Sequence, residues 1–225
     1  MSDIFERNIP TITEGQQRML TESTVFVAGC GGLGGFIIEF LVRLGVGGIV
    51  ACDGDTFSTS NLNRQILATS ETLGKSKALT ARNRALSINP DLRFTALDMF
   101  LDENNAPECL EGCDLAMDAL DNGHSRFILA QAASAKGIPL VHGAVGGHRI
   151  QTAVASPEST FLTDLYRDYT EPISKSVLSY VPAVCAALQV SQALSILTGD
   201  TAALEEKFLS GDIKTLSFDI MDFRR

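Results

Sequence analysis

The chain has no run of Lys or Arg. Its 225 residues include 18 basic and 27 acidic side chains, a formal net charge of −9. Such a balance disfavours general nucleic-acid binding, which relies on basic surface to neutralise phosphates. No apolar run approaches the ~20 residues of a membrane span. The opening Met1-Ser2-Asp3-Ile4-Phe5-Glu6-Arg7 lacks the basic start and apolar stretch of a secretory signal. There is no internal repeat and no low-complexity tract. The five cysteines, Cys30, Cys52, Cys109, Cys113 and Cys185, are odd in number. A chain of this size needs no staples, so a disulfide framework is not expected. Cys109 and Cys113 form a lone CxxxC with no matching pair, and read as a helix end near a turn at Gly112. His124, His142 and His148 show neither metal spacing nor a nucleophile partner. With 45% hydrophobic residues the chain can bury a large core. The expectation is one domain over 1–225 in the cytoplasm, with no membrane and no nucleic-acid partner.

What is present is a phosphate-binding corner. Thr24-Val25-Phe26-Val27-Ala28 is a short β-branched run that reads as a buried parallel strand. Gly29-Cys30-Gly31-Gly32-Leu33-Gly34 follows, then a helix from Gly35 to Leu44. The glycines permit a tight turn and let backbone N–H groups approach a phosphate. The helix N-terminus adds partial positive charge at the same point. A second strand, Ile49 to Asp53, ends on an acidic residue about 20 residues beyond the turn, the spacing of a ribose-binding carboxylate.

Elsewhere β and α patterns alternate. Residues 1–22 read as an N-terminal helical arm, with a capping-type start at Thr13. Gly74-Lys75-Ser76-Lys77 opens a helix that Asn89-Pro90 stops near Ile88. Strands are expected over Leu92–Met99, Asp114–Leu120, Ile138–Ala144 and Arg149–Ala155, and a helix over Ser125–Lys136. From 156 to 181 the pattern weakens into a long crossover loop. Pro182–Leu197 is a strongly apolar helix, and Lys214–Ile220 an edge strand. The order implies an α/β fold: a doubly wound, mainly parallel sheet with a Rossmann-like nucleotide-binding half and C-terminal strands. Ligands of such sheets lie at the carboxyl ends of the strands.

The glycine turn with Asp53 would also suit an NAD-dependent oxidoreductase. The next segment argues for ATP instead. Asp53-Gly54-Asp55 is followed by Ser60-Asn61-Leu62-Asn63-Arg64-Gln65 and then Gly74-Lys75-Ser76-Lys77. Arg64 can fork onto phosphate oxygens and Lys77 can supply a point charge. Asp121 stands at a strand end where it can hold Mg²⁺, which typically takes one or two carboxylates plus phosphate oxygens and waters. The structural alternative for Asp121 is an ion pair with Arg126. Arg149 is a further residue that could line the site.

These motifs, with Asp121-Asn122, Ile88-Asn89-Pro90 and Leu188-Gln189, resemble the ThiF/MoeB/HesA family, bacterial relatives of ubiquitin-activating enzymes. The resemblance runs from about Arg7 to the final strand. It implies an acyl-adenylation, in which the C-terminal glycine carboxylate of a small ubiquitin-like sulfur carrier ending in Gly-Gly attacks the α-phosphate of ATP and pyrophosphate leaves. By the same resemblance Gly29, Gly31, Gly32, Gly34 and Asp55 belong to the nucleotide site. Asp53 would bind the ribose, Arg64 and Lys77 the phosphates, and Asp121 magnesium. Asn61 matches a position facing the nucleotide. Arg7 matches an arginine that family dimers send to the neighbouring ATP site, which implies a homodimer.

Two departures from the family pattern matter. Many relatives carry two CxxC pairs for a structural zinc; here Thr160-Phe161-Leu162-Thr163 stands at the first position and nothing near the C-terminus fits the second. No zinc is expected. Some relatives have a cysteine in the crossover loop for a thioester or persulfide. Between Ser156 and Val181 there is none, and Cys185 reads as a buried helical residue. The chemistry is thus expected to stop at the adenylate. Alternatives to a carrier protein are the carboxylate of a modified tRNA base, or a non-catalytic scaffold of the same fold.

Overall fold

The computed structural model describes residues 3–169 and 176–222. A 3-10 helix, Asp3–Asn8, and helix α1, Glu14–Glu22, precede the sheet. Thr13 caps α1 with the full capping box: its side chain accepts from Gln16, and the Gln16 side chain accepts from the Thr13 N–H. Then come β1 (Thr24–Ala28), α2 (Gly32–Leu44), β2 (Gly48–Cys52), α3 (Lys77–Ile88), β3 (Arg93–Leu97), α4 (Ala106–Cys109), β4 (Leu115–Asp118) and α5 (Gly123–Lys136). The remainder is β5 (Leu140–Gly146), β6 (Arg149–Ala155), α6 (Phe161–Tyr166), α7 (Tyr180–Leu197), β7 (Lys207–Asp212) and β8 (Ser217–Asp222).

All eight strands join one sheet in the order β3-β2-β1-β4-β5-β6-β7-β8. The first five are parallel, as the alternating pattern requires; β6, β7 and β8 add on antiparallel. The winding reverses between β1 and β4. Chains leave those two strands in opposite directions, and the gap opened at their carboxyl ends is the usual ligand crevice of such sheets.

One apolar core lies under α2, α3 and α7, and includes Ile37, Leu41, Val181 and Cys185. The other lies under α4, α5 and α6, and includes Phe26, Leu129, Leu162 and Tyr166. Helix α7 is long and apolar enough to cross a membrane by composition. It is instead a core helix, with nine buried residues including Val181, Gln189 and Ala193.

Three expectations need correction. The crossover segment holds a helix, α6, because Leu162 and Tyr166, four residues apart, bury one face against the second core. Residues 170–175 of the expected crossover loop lie outside the described residues. Strand β7 was also not expected. Its sequence, KFLSGD, contains a glycine and no β-branched residue, so its pairing between β6 and β8 is what makes it a strand. The edge strand itself runs over 217–222 rather than 214–220.

Candidate active site

A cavity of about 420 Å³ opens at the β1/β4 switch point. The glycine turn forms its floor. Gly29 sits at φ 96°, in the left-handed region, where an added Cβ would also come within 2.8 Å of the Ala119 carbonyl oxygen. A Cβ on Gly34 would collide with the carbonyl of Gly29. These two glycines let α2 start tightly against the end of β1. Gly31 is the N-cap of α2 and uses no side chain to cap it, so N–H groups of the first turn point toward the cavity.

Asp53 leaves the end of β2 and turns back over this floor. Its Oδ2 accepts the Cys30 N–H at 2.7 Å and its Oδ1 the Asp55 N–H at 2.9 Å. Burial pushes the Asp53 carboxyl above its ordinary value, and those two backbone bonds and the Lys77 charge only partly offset it. Lys77 is the first residue of α3. It is only 7% exposed, yet its Nζ reaches Asp55 Oδ2 at 2.9 Å. Ser76 caps that helix by accepting from Leu79, which fixes where Lys77 emerges.

Arg64 approaches from the other side. Its Nη1 donates to the Ser60 carbonyl at 2.8 Å and to Asn63 Oδ1 at 2.9 Å, which orients the guanidinium. Gln65, beside it, is buried. Its side chain lies against the position a Gly31 Cβ would take, and among the described residues its Oε1 has no hydrogen-bond partner. An unpartnered buried carbonyl at the edge of a glycine cradle is unfavourable unless a ligand or water completes it. Asp121 follows β4 by three residues, is exposed, and lines the same cavity.

The structure thus places Gly29, Gly31, Gly32, Asp53, Asp55, Arg64, Lys77 and Asp121 around one space, with Arg149 contributed by β6. Three other expected site residues lie elsewhere. Gly34 is one turn behind the floor and serves packing. Asn61 is buried, and its Oδ1 accepts the Ser58 N–H at 2.9 Å in a reciprocal cap of a short 3-10 turn. Arg7 is exposed on the N-terminal 3-10 helix, away from the cavity lining.

Sequence reasoning gave no role to Gln65, Arg126 or Tyr169, all of which line the cavity. Gln65 sat in the quoted Asn61–Gln65 block, which was its only signal. Arg126, named in the sequence only as a structural partner for Asp121, forms an ion pair with Asp118. Tyr169 lies in the segment with the weakest pattern, and nothing in the sequence pointed to it. Cys185 is buried, as its apolar neighbours imply. Its Sγ faces the Gln151 carbonyl at 3.3 Å, and burial pushes the thiol up to about 12.

The donor set matches a nucleotide triphosphate and its cation. Arg64, Lys77, a helix N-terminus and a glycine cradle share the cavity with the carboxylates of Asp53, Asp55 and Asp121. Among the described residues no cluster of three His, Cys, Asp or Glu is placed to hold a metal ion. A divalent cation here would take most of its oxygens from phosphates and water, which suits magnesium and one carboxylate.

Comparison with known proteins agrees with this geometry. The model of the ThiF family matches residues 5–225. The chain is 35% identical over 224 residues to a sulfur carrier protein adenylyltransferase of Thermus thermophilus, covering 94% of this chain and 82% of that one. It is 32% identical over 217 residues to the SAMP-activating enzyme E1 of Haloferax volcanii, covering 94% and 80%. Among solved structures, the Escherichia coli tRNA N6-threonylcarbamoyladenosine dehydratase superposes with a TM-score of 0.75 at 26% identity, over 87% of this chain and 94% of that one.

Proposed function

The chain belongs to the ThiF family, and from that premise we propose that it is an ATP-dependent adenylyltransferase acting on a small ubiquitin-like sulfur carrier. The acceptor is the C-terminal glycine carboxylate of a carrier ending in Gly-Gly. The proposal extends to a single adenylation domain over 1–225 that works in the cytoplasm as a homodimer.

The observation that supports this most is the convergence of Arg64, Lys77, Asp121 and the glycine floor on one cavity. A carboxylate oxygen of the acceptor attacks the α-phosphorus. The bond from that phosphorus to the bridging oxygen breaks, and pyrophosphate leaves with the electron pair. Displacement at phosphorus needs positioning and charge neutralisation more than covalent help. Arg64 and Lys77 would hold the phosphates, and negative charge moving onto the departing pyrophosphate strengthens both contacts in the transition state. Lys77 would exchange Asp55 for a phosphate as its partner. Asp53 would hold the ribose, and the first turn of α2 would face the phosphates. Asp121 would hold magnesium, which supplies further neutralisation of the triphosphate when bound. Arg7 would act on the cavity of a neighbouring copy.

A second reading replaces the carrier by the carboxylate of a modified tRNA base. The likeness to the tRNA-modifying dehydratase favours it; the net charge of −9 opposes it. ATP–pyrophosphate exchange separates the two readings. Exchange that requires a Gly-Gly carrier and ignores tRNA is the expected result. Exchange with tRNA alone selects the second reading. ATP binding with inertness toward every acceptor points to a non-catalytic scaffold.

A further inference from the structure

Beneath the cavity lies a buried polar network that the reaction as drawn does not use. We propose that Asp118, Arg126 and Tyr166 are positioning residues for Asp121, and that through Tyr166 they tie helix α6 of the crossover segment to the acidic loop of the site. The inference rests on the reading of Asp121 as the magnesium carboxylate.

The key is Leu120, the residue before Asp121. Its N–H donates to Asp118 Oδ1 at 2.9 Å, and its carbonyl accepts from Arg126 Nη2 at 2.5 Å. Both backbone polar groups of Leu120, one in each peptide that flanks it, are therefore held by one buried ion pair, Arg126 Nε to Asp118 Oδ2 at 3.6 Å. Arg126 also donates to the Gly143 carbonyl of β5 at 3.2 Å and, through Nη1, to the Tyr166 hydroxyl at 2.9 Å.

The proton order follows from the donors. A guanidinium only donates, so the Tyr166 oxygen accepts from Arg126 and its own hydrogen points to His142 Nε2, 3.2 Å away. His142 then carries its proton on Nδ1 and donates to Asp118 Oδ2 at 2.7 Å. The ring closes on itself, with Asp118 charged and His142 neutral. Burial holds His142 below its ordinary value; Asp118 stays below the usual carboxylate range because Arg126 and His142 outweigh its burial.

A buried ion pair is a poor source of stability, since desolvation offsets most of its attraction. What this one does supply is direction. It fixes the peptide that aims Asp121. The far side of the loop is held as well. Asn122 Oδ1 caps α5 by accepting the Ser125 N–H at 2.8 Å. The Tyr169 ring lies so close to Gly123 that a Cβ there would strike it. Tyr169 in turn meets Tyr166 edge-on, with ring centroids 5.1 Å apart. The two tyrosines of the crossover segment thus contact the supports on both sides of Asp121. A partner that shifts α6 would change how Asp121 is presented.

The test uses Tyr166→Phe, which keeps the ring and removes the hydroxyl, and Arg126→Lys, which keeps the charge and loses the fork. ATP affinity is measured by calorimetry across a magnesium titration in the full chain, with Asp121→Asn as the reference and melting temperature read in parallel. Tyr166→Phe removes both hydrogen bonds of the hydroxyl, and losing the one to Arg126 should raise the magnesium concentration for half-maximal ATP binding about threefold to tenfold. Arg126→Lys should raise it further, and in Tyr166→Phe, whose ring lies outside the cavity lining, ATP affinity without magnesium should not change. Lowered melting temperatures with an unmoved magnesium midpoint would show the network to be structural only and overturn the inference. Wild-type ATP binding that ignores magnesium would overturn the reading of Asp121 itself, and this inference with it.

Discussion

The parallel and antiparallel halves of the sheet are held to different tolerances. In the parallel half the loops leaving the strands are locked by close contact. Gly34 sits on the Gly29 carbonyl, Asp53 holds the Cys30 N–H, and Asp118 with Arg126 grips Leu120. In the antiparallel half β8 is exposed along its whole length, with Phe218 at 46% and Ile220 at 60%. The charges proposed to handle the triphosphate come from the locked half. The backbone floor of the proposed nucleotide site is thus built into the core, while the charged side chains above it and the outer strands are freer to change. On the proposed reading, acceptor choice would sit with the freer half.

The largest effects should come from the charges of the locked half. Arg64→Ala, Lys77→Ala and Asp121→Ala should each lower ATP–pyrophosphate exchange by about 10²–10³, the usual consequence of losing one transition-state clamp. Folding should be little changed in Arg64→Ala and Lys77→Ala, because among the described residues Arg64 bonds locally to Ser60 and Asn63 and the Asp55 partner of Lys77 is half exposed. Exchange near the wild-type rate in any one variant removes that residue from the mechanism.

Glycine substitutions compare the halves more directly. In Gly34→Ala the new methyl meets backbone, which cannot step aside, so a loss of roughly 1–3 kcal/mol or more is expected. In Gly146→Ala, at the β5–β6 hairpin, the methyl enters open space, and the change should stay within about 0.5 kcal/mol. Urea denaturation of both reads the contrast. Equal losses would end the distinction drawn here.

The same contrast decides what could be read from the sequence. That the glycine turn, Asp53, Arg64, Lys77 and Asp121 share one cavity was legible because a tight turn and the proposed phosphate site each demand particular residue types at fixed spacing. The Thr13 cap and the β1–α2 corner followed for the same reason. Strand β7 and helix α6 were not legible. Their structure comes from partners distant in the chain, β6 and β8 for one and the second core for the other. The network under Leu120 was missed because His142, Arg126 and Tyr166 are 24 and 16 residues apart in sequence and meet only once β4, β5, α5 and α6 are packed. Asn61 shows the reverse error of reach. A motif match brought it to the nucleotide, while its side-chain oxygen serves a local cap.

Acid should loosen the locked half first. His142 is fully buried and neutral, facing Asp118, Arg126, Tyr166 and Phe208. In the unfolded chain it titrates near its ordinary pKa of about 6.5. Its native pKa is lower, so below about 6.5 the unfolded state binds a proton that the native state refuses. Its contribution is therefore complete above that pH and declines as pH falls toward the native value. Asp118, also depressed, adds a further loss only at lower pH, through the carboxylate range; Asp53, raised by burial, works in the opposite sense there. Melting temperature should fall from pH 7.5 to pH 5.5, and His142→Gln should flatten that slope. A slope unchanged in the variant would assign the acid sensitivity elsewhere.

The smallest effect is expected at the outer edge. Ile220→Ser replaces a side chain that is mostly in water already, so stability should move by no more than about 0.5 kcal/mol and ATP affinity should not change. The value of this variant lies in its failure. A clear drop in melting temperature that grows on dilution would mean that β8 is covered in solution by a second copy of the chain. The apparent freedom of the antiparallel half would then belong to the isolated protomer only. The edge strand would be a constrained interface, and acceptor choice would have to be sought at the β5–β6 hairpin instead, where Arg149 lines the cavity.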